Sequence, residues 1–185
     1  MFLNSLYDLN VKKLLALLFC CGTFLTVAQN SVRVLSSEQW NFRKKNESTW
    51  LSAKVPGTVH TDLYANQLIP DPFFGTNEKQ LQWIENEDWE YQTTFSISKV
   101  EMSNANAILQ FDGLDTYASV FLNNEKILDA NNMFRIWKVN VKHKLKLGEN
   151  ILKIVFLSAV KKGKAEAKKL DYTLPGDEKV FTRKA

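Results

Sequence analysis

The sequence predicts an all-β domain of the jelly-roll β-sandwich class, with one or two short helices. Three observations predict it. Several runs alternate apolar and polar residues with period two, turn-forming residues separate those runs at regular intervals, and the composition is that of a chain able to bury a core. The chain has 185 residues, 45% hydrophobic, 12% aromatic and 24% charged, with 7 Gly and 4 Pro. Such a composition excludes collagen-like, low-complexity and largely disordered chains. The length also excludes a (β/α)₈ barrel beside anything else, since that fold takes roughly 250 residues. A formal charge of +4 gives no basic stripe interleaved with exposed aromatics, so no nucleic-acid partner is expected.

The amino terminus is expected to be a secretory signal peptide over residues 1–28. Lys12 and Lys13 precede an apolar stretch from Leu14 to Val27, and Thr26 and Ala28 place small residues before Gln29. The stretch is short for a membrane span of ~20 residues, so no membrane association is expected after cleavage. Residues 29–185 then form the folded domain. Both cysteines, Cys20 and Cys21, leave with the signal, so the domain is expected to hold together without a disulfide and without thiolate metal sites.

The strand reading is clearest at Tyr91 to Ser98, where Tyr91, Thr93, Phe95 and Ile97 share one face. Arg135 to Val141 alternates likewise, through Trp137, Val139 and Val141. Tyr117 to Leu122 and Ile151 to Leu157 are more continuously apolar, as in strands buried on both faces. Asn123-Asn124 predicts a tight hairpin, because asparagine tolerates positive φ. Leu147-Gly148-Glu149-Asn150 predicts another turn. A helix is expected after Pro56-Gly57, capped by Thr58, with Val59, Leu63 and Leu68 inward and Pro70 and Pro72 ending it. The basic run Lys161 to Lys169 reads as a solvated loop or helix face.

Candidate chemistry is sparse. His60 and His143 are the two histidines; His60 and Asp62 could share a cation, but no metal or other cofactor is expected. No Gly-x-Ser-x-Gly elbow and no cysteine nucleophile remain for acyl transfer. Glu85, Glu87, Asp88 and Glu90 cluster around Trp83 and Trp89, and Asp112 and Asp115 flank Gly113. Glycoside cleavage needs two carboxyl groups across the scissile bond. Asp112-Gly113 reads first as a turn. For the tryptophans, core packing and sugar contact fit the spacing equally well.

Four long stretches carry a resemblance: Val55 to Gly75 (VPGTVHTDLYANQLIPDPFFG), Asn77 to Phe95 (NEKQLQWIENEDWEYQTTF), Leu109 to Asn123 (LQFDGLDTYASVFLN) and Asn131 to Val141 (NNMFRIWKVNV), closing with FTRKA at Phe181 to Ala185. In this order they resemble the amino-terminal, galactose-binding-like domain of the β-mannosidases of glycoside hydrolase family 2. The resemblance implies retaining hydrolysis of terminal β-linked mannose, with β-mannosides or manno-oligosaccharides as the partners. It also implies that both catalytic glutamates belong to a barrel that follows immunoglobulin-like domains, so no catalytic residue is expected here. The family's FTRKA motif runs on into a Trp- and Asp-containing segment, so the domain is expected to be incomplete at its carboxyl end and inert alone. The resemblance places Asn86, Asp88 and Trp89 near the mouth of the active site. The expected location is exported: periplasmic or extracellular, or lysosomal in an animal cell. The alternative expectation is a stand-alone exported carbohydrate-binding module.

Overall fold

The structure is a computed structural model and describes residues 31–172. The chain divides into two units, Met1–Arg33 and Val34–Ala185. The fold described below belongs to the second. The expected signal peptide, both cysteines and the FTRKA motif lie outside the described residues.

Among the described residues, eight strands form two antiparallel sheets. The larger has the order β2-β1-β3-β8-β5-β6 and the smaller pairs β4 with β7. In chain order these are β1 (Trp40–Lys44), β2 (Leu51–Ala53), β3 (Trp89–Ile97), β4 (Ile108–Phe111), β5 (Tyr117–Leu122), β6 (Glu125–Ala130), β7 (Trp137–Asn140) and β8 (Gly148–Leu157). Among the described residues, four short α-helices lie between or after them: α1 (Val59–Ala65), α2 (Asn77–Gln80), α3 (Lys99–Ser103) and α4 (Ala159–Ala167). That is more helical segments than the sequence predicts, although each is brief.

Strand β3 alternates as expected. Tyr91, Thr93 and Phe95 are buried, while Thr94 and Ser96 are exposed. Its register against β8 sets Tyr91 opposite Ile154 and Thr93 opposite Leu152. Strand β5 differs from its continuous-run reading. Ala118, Val120 and Leu122 are buried, but Tyr117, Ser119 and Phe121 are half-buried on the other face. The core thus forms on one side of the large sheet, around Phe42, Tyr91, Val120, Leu122 and Leu152. Leu109, Phe111, Trp137 and Val139 of the small sheet pack against it.

Local chemistry sets the connections. Asn123 and Asn124 adopt φ of 52° and 69°, turning β5 into β6 as the asparagine pair predicts. Gly148 takes φ of +80°, but the strand already begins there, so the predicted Leu147–Asn150 turn is partly absorbed into β8. Thr58 caps α1: its hydroxyl accepts the Thr61 N–H, and Thr61 Oγ1 accepts the Thr58 N–H in return.

That helix ends at Ala65, well before Pro70. The Asn66 side chain donates to the Asp62 and Ser52 carbonyls, and Gln67 enters positive φ. Leu68 consequently lies outside the helix and is 55% exposed, contrary to the inward position expected of it. The basic run from Lys161 is largely helix α4, capped by Ser158 and buried only at Val160, in line with a solvated face. No described helix is long and apolar enough to cross a membrane.

Candidate functional site

The stretch singled out by sequence, Trp83 to Glu90, is a 3-10 turn (Ile84–Asn86) leading straight into β3. The fold brings Asn86, Asp88 and Trp89 together on it, but in different roles. Trp89 is the first residue of β3, pairing across to Lys44 of β1 and Phe156 of β8. Its ring is 6% exposed and lies 6.0 Å from Phe42. Its indole N–H donates to the Ile84 carbonyl at 3.2 Å, so the polar edge is spent inside the fold. Trp83 is the exposed indole of this stretch, at 42%, and its ring leans on Trp89 at 6.1 Å.

Asp88 ties three elements. Its Oδ2 accepts from Lys45 Nζ at 3.1 Å, its Oδ1 from the Ser158 N–H at 2.9 Å, and its carbonyl from the Lys45 N–H at 2.9 Å. Ser158 closes the junction, donating its hydroxyl to the Glu85 carbonyl at 2.6 Å while capping α4 at the Lys161 N–H. The sequence reading missed Ser158. The available signal was a serine immediately before a lysine-rich amphipathic run, which is an N-cap pattern. Asn86 is half-buried, and its Nδ2 donates to the Gln82 carbonyl at 3.0 Å.

The remaining carboxylates of interest are also engaged. Glu90 is buried; Arg43 Nε donates to its Oε2 at 2.6 Å and Lys153 Nζ lies 3.9 Å from Oε1. The Arg43 guanidinium in turn covers the Trp50 ring at 4.2 Å. Asp62 is buried as well. It accepts the Lys54 N–H at 2.9 Å and the Tyr91 hydroxyl at 2.7 Å. Burial, with the Asp62 carboxylate beside it, pushes the Tyr91 hydroxyl far above its ordinary value. Burial also lowers the His60 imidazole below 6.5, opposed in part by the charge of Glu85. Asp112 accepts from Gln110 Nε2 at 2.7 Å just after β4, as a turn residue does.

Hydrolysis of a glycoside asks for a carboxyl held protonated. Glu125, Asp129 and Glu166 move the other way, each held below the usual carboxylate range by hydrogen bonds from lysine or serine. Among the described residues, no group of three or more His, Cys, Asp or Glu could hold a metal ion.

Comparison with known proteins places this geometry. The profile of the family described as glycosyl hydrolase 2 galactose-binding domain-like matches residues 40–185. A probable β-mannosidase of Caenorhabditis elegans is 37% identical over 142 residues, covering 75% of this chain and 16% of that protein. A β-mannosidase B of Thermothelomyces thermophilus is 43% identical over 129 residues, covering 68% of this chain and 15% of its own length. The chain therefore spans about a sixth of these relatives.

Among solved structures, a β-D-mannosidase from Dictyoglomus thermophilum aligns with a TM-score of 0.76 and 40% identity. The alignment covers 80% of this chain and 18% of that one. The exo-chitosanase CsxA of Amycolatopsis orientalis aligns over 70% of this chain and 17% of its own, with a TM-score of 0.60 and 17% identity, a likeness of fold alone. A two-sheet antiparallel core, a profile matched from Trp40 onward and relatives at this level of identity lead to one conclusion: the chain belongs to the galactose-binding-like domain family of glycosyl hydrolase 2.

Proposed function

We propose that this chain is the amino-terminal domain of an exported β-mannosidase, an enzyme that removes terminal β-linked mannose from oligosaccharides. In this reading it serves as scaffold and does not itself cleave glycosides. The observation that carries the reading is the 40% identity to a solved β-D-mannosidase across 80% of this chain. The inert reading is supported at these three carboxylates: Glu90, Asp88 and Asp62 are each engaged by partners from other elements, as structural rather than reacting groups are. The turn bearing Asn86, Asp88 and Trp89 then contributes to the substrate approach, with Asp88 and Trp89 holding its shape and Asn86 at its surface.

The 185-residue chain, assayed with an aryl β-D-mannoside, is expected to release no more phenol than a protein-free blank. Clear turnover would overturn the scaffold reading. Export is tested separately, by the amino-terminal residue of the secreted product, which is expected to be Gln29.

A second reading, an exported module that binds carbohydrate without cutting it, is favoured by the exposed indole of Trp83 against its buried neighbour. Apolar sugar faces stack on such a surface.

A further inference from the structure

The small sheet is two strands wide, and a two-stranded ladder is marginal by itself. Leu109 and Phe111 of β4, with Ala107 just before them and Val139 of β7 opposite, pack against the core yet stay half-buried. Val120 and Leu122 of the large sheet, by contrast, are 0% exposed. The Val141 N–H donates to the Ala107 carbonyl at 2.8 Å, which fixes the alternation of the ladder. Leu109 and Phe111 therefore turn their backbone groups toward Val139 and Trp137, while those of Ile108 and Gln110 point away from β7. Among the described residues β4 pairs with β7 alone, so this edge is an open row of donors and acceptors.

Proteins guard such edges with short strands, charges or proline. Of the four edge strands among the described residues, three are guarded. Strand β2 is three residues long and runs on into Lys54 and Pro56, β6 carries Glu125, Lys126 and Asp129, and β7 carries Lys138. Strand β4, Ile108-Leu109-Gln110-Phe111, has neither charge nor proline.

The chemistry of an unguarded strand edge is met by another strand, and β4 is complementary to itself. Set antiparallel about Leu109, Ile108 and the partner's Gln110 exchange two backbone hydrogen bonds, and the symmetric pair exchanges two more. Phe111 falls opposite the partner's Ala107, large against small, and the two Leu109 side chains meet at the axis on the core side. Asp112 falls opposite the partner's Asn106, so no like charges face each other.

We propose that two copies of this chain join through β4, edge to edge and antiparallel, making one four-stranded sheet of the two small ones. The contact uses other residues than the Trp83–Glu90 turn, and its failure leaves the scaffold reading standing.

The test combines sedimentation of the full chain over a range of concentrations with amide exchange read residue by residue. A monomer–dimer equilibrium is expected. The Ile108 and Gln110 amides are expected to slow their exchange as the dimer fills, while the Leu109 amide, bonded to β7, is slow throughout. Ile108→Pro removes an N–H that the fold does not use, at two places in the dimer, and is expected to weaken association at least about tenfold. Ile108→Lys leaves the backbone intact and is expected to weaken it as well, by setting two like charges near the axis. Ile108 is 61% exposed, so both variants are expected to remain folded as monomers. A chain monomeric at every concentration, or variants that dimerise like the parent, would overturn the proposal. So would association that leaves the Ile108 and Gln110 amides exchanging fast, which would place the contact on the exposed phenylalanines instead. Protection of both amides already in the dilute monomer would overturn it too, since the edge would then be paired within one chain.

Discussion

At Trp83 and Trp89, six residues apart, the same side chain does opposite work. Trp89 fills space between Phe42 and the 3-10 turn, so Trp89→Ala is expected to cost about 3–5 kcal/mol in urea unfolding, as for other buried aromatics cut to alanine. Trp83→Ala removes a ring already open to solvent and is expected to cost far less. The buried pair Tyr91 and Asp62 is similarly decisive. Tyr91→Phe leaves the Asp62 carboxylate with the Lys54 N–H alone and is expected to cost about 1.5–3 kcal/mol, the range for hydrogen bonds to charged groups.

The Tyr91 hydroxyl is raised above its unfolded value, so its contribution is complete below pH 10.0 and fades as the solution becomes more alkaline. His60 acts at the other end. Its folded value lies below 6.5, so the unfolded chain takes up protons first as pH falls through that point, and the fold loses stability. His60→Gln is expected to flatten the decline of the urea midpoint on acidification from pH 6.5 downward. An unchanged slope would show that the imidazole is not shielded.

Among the elements, the β5–β6 hairpin separates backbone need from side-chain need. Both asparagines hold positive φ, which glycine adopts freely. Asn124→Gly is therefore expected to be neutral or slightly stabilising. Asn123→Gly is expected to destabilise by about 1–3 kcal/mol, because its amide also donates to the Lys144 carbonyl and Asn150 Oδ1, and its oxygen accepts the Ile151 N–H. Comparing the two midpoints checks this directly. The hairpin itself was legible from two adjacent letters, as was the Thr58 cap of α1. The links from Asn123 to Lys144, Asn150 and Ile151 were not, because they exist only once β8 has paired with β5. The end of α1 was misread for a related reason. Proline is a strong stop, but Asn66 stops the helix first by reaching the Ser52 carbonyl on another segment.

The molecule as a whole keeps large apolar groups in water: Phe73 is 90% exposed and Phe134 86%. Such groups favour association, so the purified chain is expected to self-associate as its concentration rises. The double variant Phe73→Ser, Phe134→Ser is expected to shift light scattering toward monomer without lowering the melting temperature. A parent chain that stays monomeric at high concentration would contradict this.

Sequence by itself determined the features encoded by neighbours: which residues alternate along β3, where the chain turns at Asn123-Asn124, what caps α1, and the order of motifs that marks the family. Tertiary structure alone decided the chemistry of the site. Whether a carboxylate is free to act depends on partners brought from afar, as Ser158 is to Asp88 across 70 positions and Arg43 to Glu90 across 47. Strand register sets those meetings. It also chooses which of two nearby tryptophans is sealed in and which meets solvent, because a side chain's environment is created by the surfaces that close over it.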